Sequence, residues 1–177
     1  MATAPIPTDR QSARIALVKH HISLENAHDL EGVLATFGDK AHYDDEPWNE
    51  HHKGRDGVRY FYQQLMSALP DIEIEVQKQY VTEDAVIVEV MISGSHQGSW
   101  RGLPATGRRI EFPLCGIYTF DADDKLAGEK IYYDRGTVLR QLGVFHEPTS
   151  TIGQISTLLT HPITITHAAL RKLFGGR

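Results

Sequence analysis

At Pro70 the apolar pattern of this chain changes its period, and that change limits the folds open to it more than any other feature. Before it, Ile15, Val18 and Ile22 recur at helical spacing, predicting a first helix from Asp9 to about Asn26. Asp29 stands where a carboxylate can cap a short helix over DLEGVLATF. A strand is expected at residues 41–45. GRDGVRYFYQQLMSALP then gives a third helix, with Val58, Phe61, Leu65 and Leu69 on one face and Pro70 closing it. Beyond Pro70, Ile72, Ile74 and Val76 alternate with charged residues. AVIVEVMIS, IEFPLCGIYTF and LAGEKIYYD follow as further strands, the first of them apolar on both faces. Asp134 caps a last short helix, RGTVLRQL, stopped by Gly143. Three helices followed by a long antiparallel meander predict an α+β domain. A sheet curved around a helix leaves a conical pocket.

Composition narrows the function classes. The 177 residues suit one domain with a real core, and 41% hydrophobic with 23% charged residues is an ordinary globular balance. The net charge of −5 and the lack of a basic stripe argue against nucleic acid. The single cysteine, Cys115, allows no internal disulfide and no thiolate zinc site. No apolar run approaches the length of a membrane span, and the start MATAPIPTDR has no apolar signal core, so a cytoplasmic location is expected.

Two segments, GSHQGSWRGLPATGRRIEF and IYYDRGTVLRQLG, resemble the SnoaL-like branch of the NTF2-like superfamily, which contains polyketide cyclases. The resemblance covers roughly residues 12–143 and implies an NTF2-like cone, with three N-terminal helices packed on a curved, mostly antiparallel sheet. Residues 1–11 are then a lead-in and 144–177 a C-terminal helical extension. NAHDLEGVLATF and GRDGVRYFY also resemble the ketosteroid isomerase branch. Carried over by position, that branch's general-base aspartate falls on Asp45 and its oxyanion-binding tyrosine on His21. Its second oxyanion donor falls on Gly116, where no side chain exists. The catalytic aspartate of the polyketide cyclases falls on Ile131, as does the aspartate of the limonene epoxide hydrolases.

Asp45 is the first candidate from the residues themselves. In YDDEPWNEHHKG, one of two adjacent carboxylates must face inward if the strand alternates, and a carboxylate desolvated near Trp48 could act as a base. His21 could donate a hydrogen bond to an oxyanion. Alternation puts Glu129, Ile131 and Tyr133 on one face, so Glu129 could share acid and base duties with Asp45. A rim ion pair between Glu129 and Arg135 or Lys130 is the simpler expectation. Trp48, Trp100, Tyr118, Tyr133 and Ile131 would suit a flat hydrophobic ligand, and Gly116 would leave it room. His96 would line the pocket or, by preference, brace its loop. His51 and His52, with Glu46 and Glu50, lie on what reads as a short polar loop and are not expected to converge on an ion. Neither metal nor cofactor is expected.

The leading expectation is a cofactor-free acid/base enzyme that isomerises or cyclises a small hydrophobic carbonyl compound. A water-activating hydrolase, such as an epoxide hydrolase, and a non-catalytic binding protein are the alternatives. A homodimer is expected from the resemblance. The extension reads as two apolar-periodic pieces broken at Pro162, serving as lid, dimer arm or surface helix; stable membrane association is not expected.

Overall fold

The computed structural model describes residues 8–174; the first seven residues of the expected lead-in lie outside that range. Helix α1 (Asp9–Asn26) begins on a capping box, in which Thr8 and Gln11 satisfy each other's backbone N–H groups. Helix α2 (Leu30–Ala35) starts on the Asp29 carboxylate, as the sequence suggested. Strand β1 (Phe37–Asp45) runs longer than expected and ends in a 3₁₀ turn, Glu46–Trp48. EHHK, expected as a loop, forms strand β2 (Glu50–Lys53) by folding back antiparallel on β1. Its side chains have no apolar alternation, so only the tertiary pairing marks it as a strand. Helix α3 (Gly54–Ala68) follows, with Val58, Phe61 and Tyr62 buried.

The meander comprises β3 (Glu73–Val81), β4 (Ala85–Ser95), β5 (Arg109–Phe120) and β6 (Leu126–Tyr133). One six-stranded sheet results, in the order β2-β1-β6-β5-β4-β3. It is mixed, because β1 lies parallel to β6 while every other neighbouring pair is antiparallel. The curved, unclosed sheet wraps α1 and α3, giving the expected cone. Asp134 caps helix α4 (Arg135–Gln141) with bonds from the N–H groups of Gly136 and Thr137.

Helices α5 (Thr151–Thr160) and α6 (Pro162–Phe174) break at the expected proline and pack mainly on each other. Ile152, Ile155, Leu158, Leu159 and Ile163 are each more than half exposed. No described helix is long and apolar enough to cross a membrane.

Candidate active site

Strand alternation decides which carboxylates enter the cone. On β1, Ala41, Tyr43 and Asp45 are buried, while Asp44 turns outward to His51. On β6, Glu129 and Ile131 are buried, and Tyr133 follows on the same face. The parallel register sets Tyr43 beside Glu129 and Asp45 beside Ile131, while β5 sets Tyr118 on the other flank of Glu129. Helix α1 contributes Glu25, and α3 contributes Phe61 and Leu65, with Leu69 just past its end. The cavity opens at its mouth and is predominantly apolar, with about 590 Å³ of empty space counted out into the solvent there. Asp45, Glu25 and Glu129 are the carboxylates on its wall.

The inner end is a shared-proton network. Thr36 donates its hydroxyl hydrogen to the Val33 carbonyl at 2.6 Å, so at 2.8 Å from His21 Nδ1 it must accept. Tyr62 donates to Glu129 Oε2 at 2.8 Å and lies 3.0 Å from His21 Nε2. Both ring nitrogens of His21 thus face oxygens, which favours the charged ring. Burial works against that charge, but Glu25 and Glu129 outweigh it and raise the pKa. Their oxygens lie 3.8 and 3.5 Å from Nε2. Burial pushes Glu25 up to about 7, although His21 draws it down. Glu25 Oε2 is buried and has no hydrogen-bond partner.

The donor atoms of His21, Glu25 and Glu129 all lie within 4.8 Å of one another, a spacing that a cation could close. A metal there would have to displace a proton from His21 and part the Tyr62 hydroxyl from Nε2 and Glu129.

The mouth is organised around Asp45, which is 1% exposed. Arg101 Nη2 donates to Asp45 Oδ2 at 2.5 Å, and the Tyr133 hydroxyl approaches the same oxygen at 3.4 Å. Trp48 Nε1 donates to Tyr133 at 2.7 Å. The Arg101 guanidinium also pairs with Glu50 and stacks 4.6 Å from the Trp48 ring and 5.1 Å from the Trp100 ring. Burial raises Asp45 to about 6, against the pull of Arg101.

The expected site is thus partly rearranged. Asp45, Glu129, Trp100, Tyr118, Ile131 and Tyr133 line the cavity. Glu129 makes no rim ion pair: it is 3% exposed and bonded to Tyr62, while Lys130 points outward to Glu46. His21 is fully buried behind the wall with both nitrogens engaged, so it reaches the cavity only through its neighbours. Trp48 stands behind Tyr133 at the mouth. Gly116 leaves no room, because a Cβ there would meet Tyr118 and Val88 at 3.3 Å. His96 is buried away from the cavity and braces its loop through Thr106. Burial lowers its pKa.

Sequence reasoning missed Glu25, Tyr62 and Arg101. Glu25 carried a signal, since it lies one turn beyond His21 on the stripe of Val18 and Ile22. Arg101 carried none, because its turn has no periodicity and holds it at a φ of 50°.

The SnoaL-like polyketide cyclase family matches residues 15–142. A protein described as a SnoaL-like polyketide cyclase from Jannaschia sp. CCS1 superposes with a TM-score of 0.72 at 18% identity, over 78% of this chain and 97% of its own. TsrD from Streptomyces laurentii gives 0.66 at 24% identity, over 78% and 100% of the two chains. SalBIII, an epoxide hydrolase/cyclase-like enzyme in pyran ring formation in the polyether salinomycin, gives 0.62 at 15%, over 71% and 94%. No curated protein sequence is significantly similar to this one.

Proposed function

Because this chain belongs to the SnoaL-like polyketide cyclase family, we propose that it is a cofactor-free acid/base enzyme, moving a proton on a small, largely apolar carbonyl compound held in the cone. The observation that carries this reading is the pair of carboxyl groups facing one apolar cavity with acidities near neutrality, Asp45 at about 6 and Glu25 at about 7. A general acid or base works best when its pKa lies near the operating pH.

The division of labour follows from these values. At neutral pH Asp45 is mostly ionised and takes the proton from the carbon next to the carbonyl. The released electron pair moves into the new carbon–carbon double bond, and the carbonyl π electrons move to oxygen. Glu25, still substantially protonated, donates to that oxygen through its unpartnered carboxyl edge. Where a second double bond is conjugated with the enolate, return of the proton from Asp45 to its far carbon completes an isomerisation. The oxygen electron pair re-forms the carbonyl in that step, and Glu25 keeps its hydrogen. Attack of the enolate carbon on a second carbonyl re-forms the first carbonyl, and transfer of the Asp45 proton to the new alkoxide completes a cyclisation. His21 acts as a positioning residue, its attraction drawing the Glu25 pKa down from where burial alone would put it.

The test is hydrogen exchange on 2-tetralone in D₂O, followed by NMR. The protein is expected to accelerate exchange at the α-carbons, and Asp45→Asn to slow it by at least about a hundredfold, the usual scale for removing a general base. Glu25→Gln keeps a donor but cannot yield a proton, and is expected to cost less. Exchange no faster than in buffer at any pH between 5 and 8 would overturn the reading in favour of a binding protein.

A further inference from the structure

The Asp45–Arg101 pair is half closed. The Nε and Nη2 hydrogens of a guanidinium point the same way and form one fork, which a carboxylate ordinarily fills with both oxygens. Here only the Nη2–Oδ2 bond is made, at 2.5 Å. Asp45 Oδ1 and Arg101 Nε are both buried and both without a hydrogen-bond partner. Asp45 is 1% exposed and the Arg101 side chain 9% exposed. Each such orphan costs a folded protein stability, because its hydration is lost and nothing replaces it.

The orphans are one acceptor and one donor on the same ion pair. A single hydroxyl oxygen satisfies both, accepting from Nε–H and donating its hydrogen to Oδ1. Asp45 belongs to the wall of the inner cavity. Arg101 belongs to that of a second hollow, lined also by Glu50, His52, Tyr60, Phe61, Gln64 and Trp100. The open fork therefore lies where the apolar cone meets a more polar vestibule. Arg101 is held there against the Trp48 and Trp100 rings, and a bound hydroxyl requires the pair to part by one oxygen.

We propose that the half-open Asp45–Arg101 fork is a hydroxyl-recognition site, so that the ligand of the cone is an apolar ring compound carrying an alcohol, phenol or enol group at the end nearest the mouth. The inference rests on the cone being a ligand site, as in the proposed function, and adds the functional group that it selects. An ether or a plain hydrocarbon leaves Oδ1 unpaired. A carboxylate ligand brings a third negative charge beside Asp45 and Glu50.

The experiment is equilibrium binding by calorimetry at pH 7 with naphthalene, 2-methoxynaphthalene and 2-naphthol, three probes of nearly one shape. 2-Naphthol is expected to bind at least about tenfold more tightly than the other two, the scale of one charge-assisted hydrogen bond. In Asp45→Asn an N–H can replace Oδ1, and in Arg101→Lys the fork is gone; in either variant the preference is expected to fall to within about twofold. The second variant carries the test if the first does not fold. Equal binding of all three probes to the parent protein overturns the hydroxyl site and leaves the proton-transfer reading untouched. A preference that survives both substitutions also overturns it. Failure of every probe to bind removes the ligand site itself, and with it both readings.

Discussion

The hydroxyl of Tyr62 lies 3.0 Å from His21 Nε2 and donates to Glu129 Oε2, which itself lies 3.5 Å from that nitrogen, so one phenol braces a buried imidazole and a buried carboxyl group against each other. The arrangement explains how three ionisable side chains share the base of an apolar cone.

Replacing that hydroxyl tests the network directly. Tyr62→Phe keeps the ring in its place among His21, Phe37 and Tyr43 but leaves His21 Nε2–H and Glu129 Oε2 each short of a partner. The expected loss of stability in urea unfolding is about 1–3 kcal/mol, the cost of stranding buried polar groups. A loss below about 0.5 kcal/mol means that the hydroxyl is not a bridge.

Stability should also fall as pH rises. Glu25 has a pKa of about 7 in the folded chain against 4.5 as its ordinary value. Between those values the folded state holds a proton that the unfolded state has released, so stability declines at up to about 1.4 kcal/mol per pH unit. Raised His21 adds in the same direction, its contribution being full below pH 6.5 and lost as pH climbs through its folded pKa. Unfolding midpoints measured from pH 5 to 8 should descend for the parent protein and descend less steeply for Glu25→Gln. Parallel curves for the two proteins contradict the assignment.

The rate of 2-tetralone exchange should follow a bell in pH, rising near 6 as Asp45 ionises and falling near 7 as Glu25 loses its proton. Arg101 draws the Asp45 pKa down, so Arg101→Leu is expected to move the rising limb to higher pH while the falling limb stays in place. A purely structural role for Arg101 would lower the whole curve without shifting either limb.

Deleting residues 149–177 is expected to change the melting temperature by no more than about 3 °C, measured by circular dichroism. Helices α5 and α6 bury little against the sheet, and their apolar side chains gain nothing from the cone. A drop of 10 °C or more would show that the arm covers core surface.

Much of the fold is legible in the sequence, since local chemistry fixes it. The spacing of Val58, Phe61 and Leu65 favours a helix from local sequence, Asp29 and Asp134 cap with their own carboxylates, and alternation turns Asp45, Glu129, Ile131 and Tyr133 inward. Strand β2 was not legible, because EHHK becomes a strand only by finding β1. The sequence by itself determined the α+β order, the cone, and two of the carboxylates that enter it. Tertiary structure alone decided what those carboxylates do. Placing Glu129 beside Tyr62 rather than Lys130, and inserting Arg101 from an aperiodic turn against Asp45, depends on contacts between residues 67 and 56 positions apart. Periodicity reports which face a residue occupies; the partner across the cavity, which sets its charge, is chosen only when the sheet closes over the helices.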